Sequence, residues 1–254
     1  MRAYISFIKK EFTENIRTYK LFIMIVVFLL IGIMSPVVAK LMPDIIKSAS
    51  PAGMTINLKP PTALDSWTQF FKNIGQMGLL VLVIVFSGIM ANELSKDTLI
   101  NLLTKGLKRS TVIFSKLTVA VFIWTLSYII CLMVSYFYTA YFWEMNGMHN
   151  VFLSFFSLWL YGVLLIVLVI LGGILFKNIY GSILLTGGAV VLMMVLSIAP
   201  KFQKYNPITL SSDNMALLTA HKAVSDFMPA VVICTILIIL FTAVSVIVFN
   251  KKQV

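Results

Sequence analysis

Polar and apolar positions segregate along this chain into six long apolar stretches, none containing a charged residue: 21–39, 75–91, 117–142, 151–176, 179–199 and 229–249. A helix needs roughly 20 residues to cross a hydrocarbon layer of about 30 Å. Only helices and closed barrels satisfy their backbone polar groups in lipid. No stretch alternates with the two-residue period of a barrel strand. The pattern predicts an all-α polytopic membrane protein with six transmembrane helices.

Periodicity outside the spans adds further helices. Ile5, Ile8, Phe12, Ile16 and Tyr19 recur at spacings of three and four, with Lys9, Lys10, Thr13, Glu14 and Arg17 on the opposite face. Residues 1–20 are therefore expected to hold an amphipathic helix lying in the membrane interface, apolar face down. Residues 40–74 form a loop punctuated by Pro43, Pro51, Pro60 and Pro61. It ends in the stripe Trp67, Phe70, Phe71 and Ile74, which predicts a short interfacial helix leading into the second span. Tyr136, Tyr138, Tyr141, Phe142 and Trp143 cluster at the end of the third span, as an aromatic belt does. Only Lys177-Asn178 separates spans four and five, so they must form a tight hairpin. Gly172, Gly173, Gly181, Gly187 and Gly188 flank that turn and favour close helix packing. In loop 200–228, Ser211-Ser212-Asp213 offers helix caps for a second short external helix, and Pro229 is placed to open span six.

Charge sets the orientation. Thirteen of the 20 basic residues fall at the N-terminus, between spans two and three, at Lys177 and at the C-terminus; seven fall on the other side. The positive-inside rule places both termini in the cytoplasm. The net charge of +11 is then a topology signal and an attraction to anionic lipid, not a nucleic-acid interface. Nothing between the spans is long enough for a separate catalytic fold, so residues 1–254 read as one membrane domain. Cys131 and Cys234 lie in separate spans and read as small core residues rather than a disulfide.

The chemistry of membrane enzymes is missing from the pattern. His149 and His221 are far apart and outside the spans, and no metal-ligand spacing occurs. The predicted spans hold no ionisable residue of the kind that couples carriers to protons or ions. No phosphate-loop motif is present, so the chain is not expected to hydrolyse ATP.

The best-marked polar segment is 92–116. Leu99, Leu102, Leu103 and Leu107 form one apolar stripe on a short amphipathic helix that breaks at Gly106, suited to a partner or to the membrane. The order Glu93, Thr98, Leu102-Leu103, Arg109 and Lys116, with Asp97 where a glycine is usual and Lys105-Gly106 where a proline falls, resembles the permease subunits of type-2 ABC exporters of the bacterial drug and peptide branch. The six-span layout resembles them across the whole chain. That resemblance implies a coupling segment, with Glu93, Asp97, Thr98, Leu99, Leu102, Leu103 and Arg109 engaging a separate ATPase. It implies two ATPase copies carrying ATP and Mg, a second permease subunit forming a homodimer, and no cofactor on this chain. It also implies a multi-pass protein of the bacterial plasma membrane that exports cargo.

The spans carry no charge to pair with an ionic cargo, so an amphipathic or hydrophobic one fits best. Cationic or bacteriocin-like peptides and hydrophobic drugs lead the candidates. A carrier or channel working without an ATPase, a membrane scaffold or immunity protein, and an intramembrane enzyme are the alternatives. An ATPase gene beside this one would separate the first reading from the rest.

Overall fold

A computed structural model describes residues 2–49, 59–95 and 108–252. The described residues are overwhelmingly helical and include no strand. Six helices are long and apolar enough to cross a membrane, and the chain is an all-α polytopic membrane protein.

The N-terminal helix is α1 (Arg2–Arg17). It ends at Thr18-Tyr19, where Tyr19 adopts a left-handed φ of 57°. A side chain rarely adopts that conformation, and it breaks the helix before α2 (Lys20–Ala49) begins. The face of α1 turned to the bundle carries Phe7, Glu11 and Asn15, all buried, whereas Ile5, Ile16 and Tyr19 are exposed. Tyr4 Oη shares a hydrogen bond of 2.8 Å with Thr118 Oγ1 on the third spanning helix.

Helix α2 does not stop at residue 39. It continues through Pro36 and Pro43 to Ala49, because neighbouring helices and local adjustment compensate for the backbone bond that proline removes in a membrane helix. The expected loop therefore begins later than the sequence pattern places it.

The second span is one helical rod made of α3 (Ala63–Asn73), a π-helical turn (Ile74–Gly78), α4 (Leu79–Phe86) and α5 (Gly88–Ser95). The Asp65 carboxylate accepts the Thr62 N–H at 2.8 Å and so begins the rod, as a capping box does. The stripe Trp67, Phe70, Phe71 and Ile74 is not interfacial. All four are buried, with Trp67 and Phe71 each 5.0 Å from the Phe155 ring. Aromatic area of this size goes to the core when a neighbouring helix offers a matching ring.

Helix α6 (Arg109–Phe142) is followed by α7 (Val151–Phe176). Apolar on every side, α7 occupies the centre of the bundle and is buried along most of its length, as such a helix must be. Polar side chains near it find partners inside the protein. Tyr128 Oη donates to the Phe155 carbonyl at 2.9 Å, and Trp124 Nε1 donates to that of Trp159 at 3.0 Å. Cys131 and Cys234 are buried and unbridged.

Lys177, with a φ of 54°, turns α7 into α8 (Ile179–Ser197). The Asn178 side chain caps α8 by accepting the Gly181 N–H at 2.5 Å. A Cβ on Gly172 would sit 2.8 Å from the Ser182 Cα, so glycine allows the hairpin to close. Gly173 and Gly181 are also close-packed, but Gly187 and Gly188 face open space, contrary to the expectation that all five pack.

Three short helices follow, rather than one: α9 (Pro200–Gln203), α10 (Thr209–Ser212) and α11 (Asn214–Leu218). Asp213 does not cap α11 with its side chain; it pairs with Lys222. Asn214 Nδ2 lies 2.9 Å from the Ser154 carbonyl and pins this region to the start of α7. The last helix, α12, runs from Val224 to Lys251. Pro229 therefore lies inside it rather than opening it.

Candidate functional site

Both ends of the chain lie at one face of the bundle, and buried charge concentrates there. Glu11 on α1 reaches Lys116 on α6 at 2.9 Å. Lys116 reaches Glu93, in the last turns of α5, at 2.8 Å. Lys10 closes the group, 2.5 Å from Glu93, 2.9 Å from Glu11 and 2.8 Å from Glu14. The side chains of Lys116, Glu11 and Glu93 are only 1%, 2% and 9% exposed. Taking such ions out of water costs several kcal/mol each unless every one is paired. Here each carboxylate has an ammonium partner. One contact network thus ties the N-terminal helix to the end of span two and the start of span three.

The protonation states follow from this geometry. Burial pulls the Lys10 ammonium toward neutrality, but its bonds to Glu14 and Glu93 and the charges of Glu93 and Glu11 outweigh that and raise its pKa. Glu14 is desolvated too, which favours its acid form, yet the Lys10 contact and charge lower its pKa on balance. Glu11, Glu14 and Glu93 lie close enough to suggest a cation site. Lys10 Nζ, however, is within 2.9 Å of an oxygen of each carboxylate, so an ammonium occupies their point of convergence.

Of the residues expected from sequence to couple to a partner, Glu93 and Arg109 are described. Asp97, Thr98, Leu99, Leu102 and Leu103 lie outside the described residues. Arg109 stands at the first turn of α6. It donates to the carbonyls of Phe249 and Lys252, both at 2.5 Å, and lies over the Phe249 ring. These carbonyls belong to the unsatisfied end of α12. Lys252 in turn donates to the carbonyls of Ile174 and Leu175 at the end of α7. Glu93 and Arg109 are thus fixed on either side of residues 96–107.

Lys116 stands in the 92–116 motif and Glu11 in neither face expected of the N-terminal helix, so their pairing was not foreseen. The signal was available in part. Phe7, Glu11 and Asn15 recur every fourth residue and share a face that is not the apolar one.

The opposite half of the bundle holds a second feature. A cavity of about 920 Å³ opens between the π turn with its flanking α3 and α4, helix α8, and the short helices α10 and α11. Thr68, Lys72 and Gln76 line one end, and the rest is mostly aliphatic, with Leu80, Val83, Leu165 and Val190. Tyr161, 2% exposed, lines the wall from α7, and its hydroxyl has no hydrogen-bond partner. A π turn inside an α-helix often marks a functional position.

No protein-family profile matches the chain, and no curated protein is similar to it at a significant level.

Proposed function

We propose that this chain is the membrane-spanning permease subunit of an ATP-driven exporter of the type-2 ABC class, in a bacterial plasma membrane with both termini cytoplasmic. Two permeases, as a homodimer, would work with two ATPase subunits carrying the ATP and Mg. One observation carries the reading. Glu93 and Arg109 anchor the two ends of the leucine-striped segment to α1 and to the end of α12, so a push on that segment is delivered to both. A transporter driven by a separate motor requires such a lever between motor and spans. The cavity beside α8, with its aliphatic floor, supports an amphipathic or hydrophobic cargo.

The test uses Leu102→Asp with Leu103→Asp, co-expressed with the neighbouring ATPase. Charge on the docking stripe would be buried unpaired at the contact, costing several kcal/mol. Membrane insertion should persist while ATPase co-purification and export are lost. Lys201→Ala with Lys204→Ala, on the opposite face, should change neither. Retained association and export in the leucine variant would leave the segment a mere connection, and a carrier without an ATPase or an immunity protein would take its place.

A further inference from the structure

We propose that the cavity between α3–α4, α8 and the short helices is a binding site for a phospholipid with an anionic headgroup, drawn from the leaflet opposite the chain termini. The polarity of the wall runs in the direction a lipid requires. Thr68, Lys72 and Gln76 sit four residues apart, on one face of the rod. Beyond Gln76 the rod's wall is aliphatic to Ile84, about 8 residues and about 12 Å further along at helical rise. A cationic mouth above an apolar slot fits a phosphate above acyl chains, and the volume lies in the range of small-molecule sites.

Charge decides the sign of the ligand. Lys72 is exposed and has no carboxylate within ion-pair distance among the described residues. Among the described residues the cavity lining contains no Asp or Glu. The acids nearest in sequence to lining residues are held elsewhere, Asp65 at the Thr62 cap and Asp213 against Lys222. An anion gains from this mouth, whereas a cationic amphiphile meets like charge. Tyr161 adds ring surface to the same wall from α7, its hydroxyl sealed from the cavity.

This inference rests on the cavity and not on the exporter reading, so it is tested on the purified full chain without any ATPase. Native mass spectrometry from detergent would follow retention of added dioleoyl-phosphatidylglycerol against dioleoyl-phosphatidylcholine. The anionic lipid should be retained at least about fivefold better, as expected for one partly screened ion pair. Lys72→Gln should erase that preference without lowering retention of the zwitterionic lipid.

Two adjacent glycines give the steric control. A Cβ on Gly187 or Gly188 meets nothing within 4 Å, but only Gly187 lines the cavity. Gly187→Phe should therefore abolish retention of both lipids, and Gly188→Phe should leave it unchanged. Equal retention of the two lipids by the parent chain would overturn the proposal. So would an unaltered Gly187→Phe variant, or a cationic amphipathic peptide that competes better than the anionic lipid.

Discussion

Lys116 offers the sharpest test of the buried charge network. Lys10 and Lys116 pair with Glu11, Glu14 and Glu93, and the charge of Lys20 acts on the same three carboxylates, a balance of three positive against three negative charges. Lys116→Met keeps most of the side-chain volume but leaves two positive charges against three, and of those two only Lys10 is in contact with a carboxylate. Glu11, 2% exposed, then retains only the half-exposed Lys10, which it shares with two other carboxylates. Breaking a buried pair by removing one partner costs about 3–5 kcal/mol. The cheapest relief is for α1 to leave the bundle and hydrate Glu11.

Undocking can be read as thiol exposure. Asn15 is buried on the docked face of α1, and both native cysteines are buried. Maleimide labelling of Asn15→Cys should be slow in the parent. With Lys116→Met it should accelerate by about 10²-fold, since 3 kcal/mol corresponds to roughly that factor at 1.4 kcal/mol per decade. Adding Glu11→Gln restores the original neutral balance and leaves Lys10 to serve Glu93 and Glu14, so labelling should slow again. Labelling of Lys116→Met at the parent rate would refute the view that these charges hold α1. A double variant as fast as the single one would show that lost packing, not unpaired charge, is responsible.

The same labelling should depend on pH in a defined way. Glu14 is held below its ordinary 4.5, so its contribution is complete above that value and is lost only as pH falls through its lower folded-state value. Lys10, held above its ordinary 10.5, contributes fully below that value and loses its share only at higher pH. Normalised to an exposed-cysteine control at the same pH, which cancels the thiolate dependence of the reagent, labelling unchanged between pH 6 and 9 with a relative acceleration on acidification is the expected profile. Arg109→Ala should increase hydrogen exchange at residues 249–252, because three carbonyls there lose their guanidinium donor. Arg109→Lys should rescue this only in part, since an ammonium lacks the planar fork. Gly172→Val would drive side-chain atoms into the Ser182 backbone and should lower the melting temperature in detergent, consistent with an overpacking cost of about 1–3 kcal/mol. Gly188→Ala, in open space, should have no such effect.

The residues themselves determined the class of this molecule. Uncharged runs of this length have only one stable backbone solution in lipid, so six helices follow from the apolar pattern alone. The α7–α8 hairpin follows from a two-residue connection, and the N-terminal helix from its period. Helix ends were less legible. Prolines at 36 and 43 and the aromatic stripe at 67–74 carry turn and interface signals, but neighbouring helices absorbed the prolines and Phe155 drew the stripe inward. Which charges meet could not be read from the sequence, although the shared face of Phe7, Glu11 and Asn15 marks Glu11 as turned away from the apolar side. Glu11, Glu93 and Lys116 lie up to 105 residues apart, and each alone looks like a solvated residue at a span end. Their burial, the anchoring of Arg109 on α12 and the cavity around Tyr161 all depend on which helix faces which. Side-chain pairing energies act only over a few ångströms, so tertiary packing, not local pattern, decided them.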